Sequence, residues 1–144
     1  MTMTDIVRVH QARCVPHLAR LRMLAAAQTG TPFPPGVVSG VAAAVGAVVA
    51  EAIAAERDMA AASGGRDTGA DQPLLAARLH RLHRAARDAM ASARNGNPAI
   101  LRDRVHRFDT MTSAMWTVHL SVVERNRPRR RGGPLPAGSA GGGI

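Results

Sequence analysis

The sequence predicts an all-α protein, an antiparallel up-down-up-down four-helix bundle carrying a disordered C-terminal tail. Three observations lead there. Four segments repeat apolar residues at helical spacing, turn-forming residues separate them, and no stretch shows the two-residue alternation of a strand. At 144 residues the chain is long enough to close one core, so residues 1–125 are read as the bundle and 126–144 as the tail.

The first helix is expected to start at Thr4 or Asp5, either able to accept from the open backbone N–H groups of a first turn, and to run to about Gln28. The stretch TGTPFPPG ends it, and a second helix opens near Gly36 and continues to about Ala62. Asp71 is placed as the cap of a third helix, which has Pro73 in its first turn and runs to Arg94. NGNP is the clearest boundary. Asn95-Gly96 supplies a left-handed closing residue and Asn97-Pro98 starts the fourth helix, which runs to about Arg125. NRPRRRGGPLPAGSAGGGI has no apolar period and is expected to be disordered.

Stepping about 100° per residue assigns an inner face to each helix. The third buries Leu75, Leu79, Leu82, Ala86, Met90 and Ala93; the fourth buries Leu101, Val105, Phe108, Thr112, Met115, His119 and Val122, with Trp116 at the edge. The second turns Val37, Val41, Val45, Val48, Ala52, Ala55 and Met59 inward, and alanine and glycine line much of its other side. That smooth side suits self-association. Its uncharged run ends at Glu51 after about 15 residues, short of the roughly 20 that cross a bilayer, so a soluble buried helix is expected and a membrane partner is not.

The first helix places His10, Cys14 and His17 inside its apolar stripe, at spacings of four and three. In an up-down bundle His10 and His119 fall at the same height, and Glu56 and His83 border the same part of the interior. Imidazole and thiolate groups on facing helices can hold zinc, copper or haem iron, which makes His10, Cys14, His17 and His119 a candidate ligand set. The alternative is structural: histidines hydrogen-bonded within the core, one of them meeting a carbonyl freed by a kink at Pro16, and a cysteine acting as a small hydrophobe. No Glu-x-x-His pair stands in the chain, so a di-iron carboxylate bundle is disfavoured. No serine or threonine has an activating base, and no Gly-rich loop follows a strand. A non-enzymatic protein is expected.

Nineteen arginines, no lysine and ten acids give a net charge of +9. A charge of this sign attracts polyanions, and nucleic acid is the expected partner. On the third helix Arg78, Arg81, Arg84 and Arg87 fall outside the inner stripe, as does Arg94; the tail adds Arg125, Arg127, Arg129, Arg130 and Arg131. RNRPRRRGGP resembles the minor-groove AT-hook, whose core is Arg-Gly-Arg-Pro, with Asn126 where that core has glycine. The resemblance implies that Arg125 and Arg127 enter narrow A·T minor grooves. By charge the first and third helices are basic, the second acidic and the fourth balanced. In a square bundle the two basic helices are diagonal, so their charge does not pool on one face. The single cysteine allows no internal disulfide, and an acid and two arginines interrupt the N-terminus where a signal peptide needs an apolar run. The cytoplasm is the expected location. The expected function is that of a non-catalytic accessory protein binding the phosphate backbone of nucleic acid. The alternatives are a metal- or haem-binding bundle and an oligomeric scaffold.

Overall fold

The computed structural model describes residues 2–64 and 72–125. They form four helices: α1 Met3–Ala27, α2 Val37–Ala62, α3 Gln72–Asn95 and α4 Pro98–Arg125. Each packs against its neighbours in a ring, α1 on α2, α2 on α3, α3 on α4 and α4 on α1. Contacts between distant residues fix the directions. His10 near the start of α1 meets Glu51 and Asp58 late in α2, while Arg102 at the start of α4 donates to the carbonyl of Gln28 at the end of α1. α1 therefore runs antiparallel to α2 and to α4, and α1 and α3 lie diagonally across the bundle.

Local chemistry explains the helix ends. Thr2 caps α1: its hydroxyl accepts from the Asp5 N–H and the Asp5 carboxylate accepts from the Thr2 N–H, a capping box two residues upstream of the start expected from the sequence. Those bonds to Thr2 hold the Asp5 carboxyl below its ordinary range. Gly96 has φ +76°, the left-handed geometry that closes α3, and the Asn97 side chain accepts from Ile100 N–H to start α4. Asp71, the cap expected for α3, lies outside the described residues, as does the whole tail.

Pro16 sits inside α1, which continues through it as one helix. Pro16 and Ala12, whose carbonyl the proline cannot bond, are both exposed.

Leu21, Val41, Val45, Val48, Leu82, Leu101, Phe108 and Met115 are fully buried and form the centre of the core. Trp116, expected at the edge, is also buried, and the α3 contribution is alanine-rich: Ala85 and Ala89 are buried along with the expected Ala86 and Ala93, whereas Leu79 and Met90 are only half-buried. Alanines let α3 approach closely. Gly40 does the same for α2, since a Cβ there would lie 2.9 Å from a Leu24 methyl.

α2 buries its expected inner face, Val37, Val41, Val45, Val48, Ala52, Ala55 and Met59, and leaves part of its alanine- and glycine-lined side open. Glu51 is its only charge before Glu56, so counted past Glu51 the helix is long and apolar enough to cross a membrane. Within the monomer 39% of its most apolar 18-residue stretch is buried.

Candidate functional site: an arginine-lined groove and a polar interior

Two surface depressions adjoin on the outer side of α3. One, about 250 Å³, is lined by Arg81, Arg84 and Asp88 of α3 with Arg107 and Met111 of α4. The other, about 400 Å³, is lined by Arg84, Arg87, Asp88 and Arg94. Arg81 and Arg94 are 13 residues apart, so the row extends about 20 Å along one rigid helix. Arg81, Arg84, Arg87 and Arg94 are exposed and Arg78 is half-buried.

Pairing distinguishes the α3 arginines from Arg13, Arg22, Arg104 and Arg107, while Arg8, Arg20, Arg57 and Arg102 also make no ion pair among the described residues. Arg22 bonds Asp109 at 2.8 Å, Arg104 bonds Asp103 at 2.6 Å, Arg107 lies 3.6 Å from Asp103 and Arg13 lies 3.9 Å from Glu51. Among the described residues, Arg78, Arg81, Arg84, Arg87 and Arg94 make no ion pair. Arg107, on a helix expected to be charge-balanced, adds a cation that the face-by-face sequence reading did not pool with α3. Arg125 closes α4; Arg127, Arg129, Arg130 and Arg131 lie outside the described residues.

The interior has its own polar groups. His10 is buried and meets a carboxylate at each ring nitrogen, Nδ1 to Glu51 Oε1 at 2.7 Å and Nε2 to Asp58 Oδ2 at 2.7 Å. Donation to both at once requires the imidazolium. Glu51 and Asp58 were absent from the sequence-derived cluster. The signal is present in their spacing: Glu51 and Asp58 each stand three residues after a member of the apolar stripe of α2, Val48 and Ala55, and so lie at its border.

His119 is fully buried, as expected. Its Nδ1 donates to the Met115 carbonyl at 2.8 Å, which leaves Nε2 as the lone-pair nitrogen of the neutral ring. Glu56 Oε1 lies 3.9 Å from that nitrogen, too far for a hydrogen bond. Trp116 packs on His119 with ring centres 5.6 Å apart. Glu56 Oε1, His119 Nε2 and Trp116 Nε1 are closed to solvent and have no hydrogen-bond partner among the described residues. Burial pushes the Glu56 carboxyl up and the His119 imidazole down, the latter against the pull of the Met115 carbonyl; both favour neutral forms.

Cys14 is buried one turn above His10, and burial, with Glu51 adding to it, pushes its thiol up to about 12. It is a thiol rather than a thiolate here. His17 and His83 are only half-buried, and His106 is exposed. Among the described residues no three His, Cys, Asp or Glu side chains converge as metal ligands, so His10, Cys14, His17 and His119 are not gathered into a set. The physical reason is that His10 commits both nitrogens to α2 carboxylates and His119 commits one to its own helix.

Compared with protein-family models, curated proteins and solved structures, the chain matches none of them.

Proposed function

We propose that this protein is a non-catalytic accessory factor of the cytoplasm that binds the phosphate backbone of nucleic acid through α3, Arg107 and the basic segment that follows α4. The observation that carries this reading is the row of guanidinium groups on α3 with no acidic partner among the described residues. A cation held by a carboxylate of its own chain must surrender that bond before it meets a phosphate; Arg81, Arg84, Arg87 and Arg94 have none to surrender. The five arginines between 125 and 131 extend the same charge beyond the bundle. With four groove contacts, the logarithm of the association constant falls with the logarithm of salt at a slope of about −3.6 on duplex.

Fluorescence anisotropy of a labelled 20-base-pair duplex, titrated at several salt concentrations, is the test. R81A/R84A/R87A is expected to flatten the slope by about 2.7, and deletion of residues 126–144 to weaken binding further. Salt-independent binding, or none, rejects the proposal.

A second reading, a self-associating scaffold, is favoured by α2. Val38, Ser39, Ala43, Gly46 and Ala50 of its apolar stretch are exposed, and a Cβ at Gly46 meets nothing within 4 Å, so no packing within the monomer calls for that glycine. Light scattering tests it: a monomer at high concentration removes this reading, and co-sedimentation with lipid vesicles would replace it with a membrane one.

A further inference from the structure

The carboxylate of Asp88 is the anomaly of the arginine groove. It lines both depressions and lies one helical turn beyond Arg84 and beside Arg87 in sequence, yet among the described residues it makes no ion pair or hydrogen bond. Asp103 and Asp109, also on the outside of the bundle, do pair with arginines. A surface that meets only phosphates gains nothing from a carboxylate among its cations, since that charge repels the ligand. It gains if the ligand carries a hydrogen-bond donor beside its phosphates. In the sugar-phosphate backbone of nucleic acid that donor is the ribose 2′-hydroxyl, which DNA lacks.

The same surface disfavours a single strand. Trp116 and Phe108 are buried, Phe33 is half-buried and the chain has no tyrosine, so the described surface offers a base no exposed phenyl, phenol or indole ring, only imidazoles such as those of His80 and His106. A straight cationic row about 20 Å long suits a rigid helix of backbone instead. A-form duplex displays its 2′-hydroxyls in a wide, shallow minor groove flanked by phosphates.

We propose that the ligand is double-stranded RNA, with Arg81, Arg84, Arg87 and Arg107 on phosphates and Asp88 accepting a hydrogen bond from a 2′-hydroxyl. The inference rests on the nucleic-acid reading above and adds the sugar selectivity to it. Asp88 is a specificity residue and a net cost to every ligand without that hydroxyl.

The experiment compares four 20-mers of one sequence by anisotropy at fixed salt: duplex RNA, duplex DNA, duplex 2′-fluoro RNA, which keeps the A-form and removes the donor, and single-stranded RNA. The parent is expected to bind duplex RNA about tenfold more tightly than the 2′-fluoro and DNA duplexes, the worth of one hydrogen bond to a charged group. Asp88→Ala should tighten DNA and 2′-fluoro binding and bring both level with RNA. Asp88 is exposed, and circular dichroism checks that the variant keeps its helices. If Asp88→Ala tightens every duplex by the same factor, Asp88 is only a repelling charge and the inference falls while nucleic-acid binding stands. Tighter binding to the single strand also overturns it. No salt-dependent binding to any of the four removes both readings together.

Discussion

His10 in α1 and Asp58 in α2 are 48 residues apart in sequence and 2.7 Å apart in space, and the opposite nitrogen of the same ring meets Glu51. One side chain thus ties the first helix to two turns of the second. The two arms are unequal because the Glu51 side chain is 23% exposed and that of Asp58 is 56% exposed.

His10→Leu is expected to lower stability by about 2 kcal/mol, the typical worth of hydrogen bonds to charged groups less what water restores. Double-mutant cycles by urea denaturation should give a coupling of about 1–2 kcal/mol between positions 10 and 51, and below about 1 kcal/mol between 10 and 58, where solvent screens the pair. Equal couplings would show that burial does not set the difference.

Glu56 and His119 give opposite pH dependences. The Glu56 carboxyl is raised above its ordinary value of 4.5, so the folded state holds a proton that the unfolded chain has lost; that stabilisation is full below 4.5 and disappears as pH rises through the raised value. His119 is depressed below 6.5, so its neutral form stabilises the fold above 6.5 and that contribution is lost as pH falls through the depressed value. Glu56→Gln imitates the protonated acid at every pH. It should be more stable than the parent at neutral pH, and the advantage should vanish near pH 4.5. An advantage that does not change with pH, measured by parallel denaturation curves, would contradict the burial argument.

Cys14 should resist thiol reagents. With its thiol near 12, about one molecule in 10⁵ carries the thiolate at pH 7. Native protein is expected to react with a disulfide reagent on the timescale of opening of the bundle, and urea-unfolded protein within seconds. Rapid labelling of the native state would mean that the interior near His10 admits solvent.

Gly46→Ala separates packing from association. Alanine is favoured over glycine in a helix interior by about 1 kcal/mol, and nothing stands where the new methyl would go, so monomer stability should rise by about that amount. If α2 pairs with a second copy across this glycine, the same change should weaken the dimer in light scattering. At Gly40 the methyl meets Leu24, a movable side chain, and the gain should be smaller.

The architecture was legible because each helix carries its own punctuation. NGNP supplies a glycine at φ +76° and an asparagine cap, and these depend on neighbours in sequence alone. The start of α1 was misplaced because Thr4 and Asp5 look like caps while the reciprocal bond between Thr2 and Asp5 outcompetes them. The outer row of α3 followed directly from helical stepping. What does not follow is pairing: whether an arginine is already held depends on rotamers and on the neighbouring helix, which is why Arg22 is lost to Asp109, while Arg107 lines the groove although Asp103 lies 3.6 Å from it. His10 was placed inside correctly, but its partners lie on a different helix at border positions, and a periodicity that sorts residues into inside and outside does not reveal them. His17 failed for a related reason: three residues beyond Cys14, it has rotated to the edge of the stripe and is half-buried.

Trp116 is the chain's only strong ultraviolet fluorophore, because no tyrosine accompanies it, and its indole rests against an imidazole. A protonated imidazole quenches indole emission, so brightness registers the charge on that ring, while the emission wavelength registers whether water has reached it. The molecule therefore comes with its own optical gauge of the state of its interior, and unlabelled protein suffices to follow it.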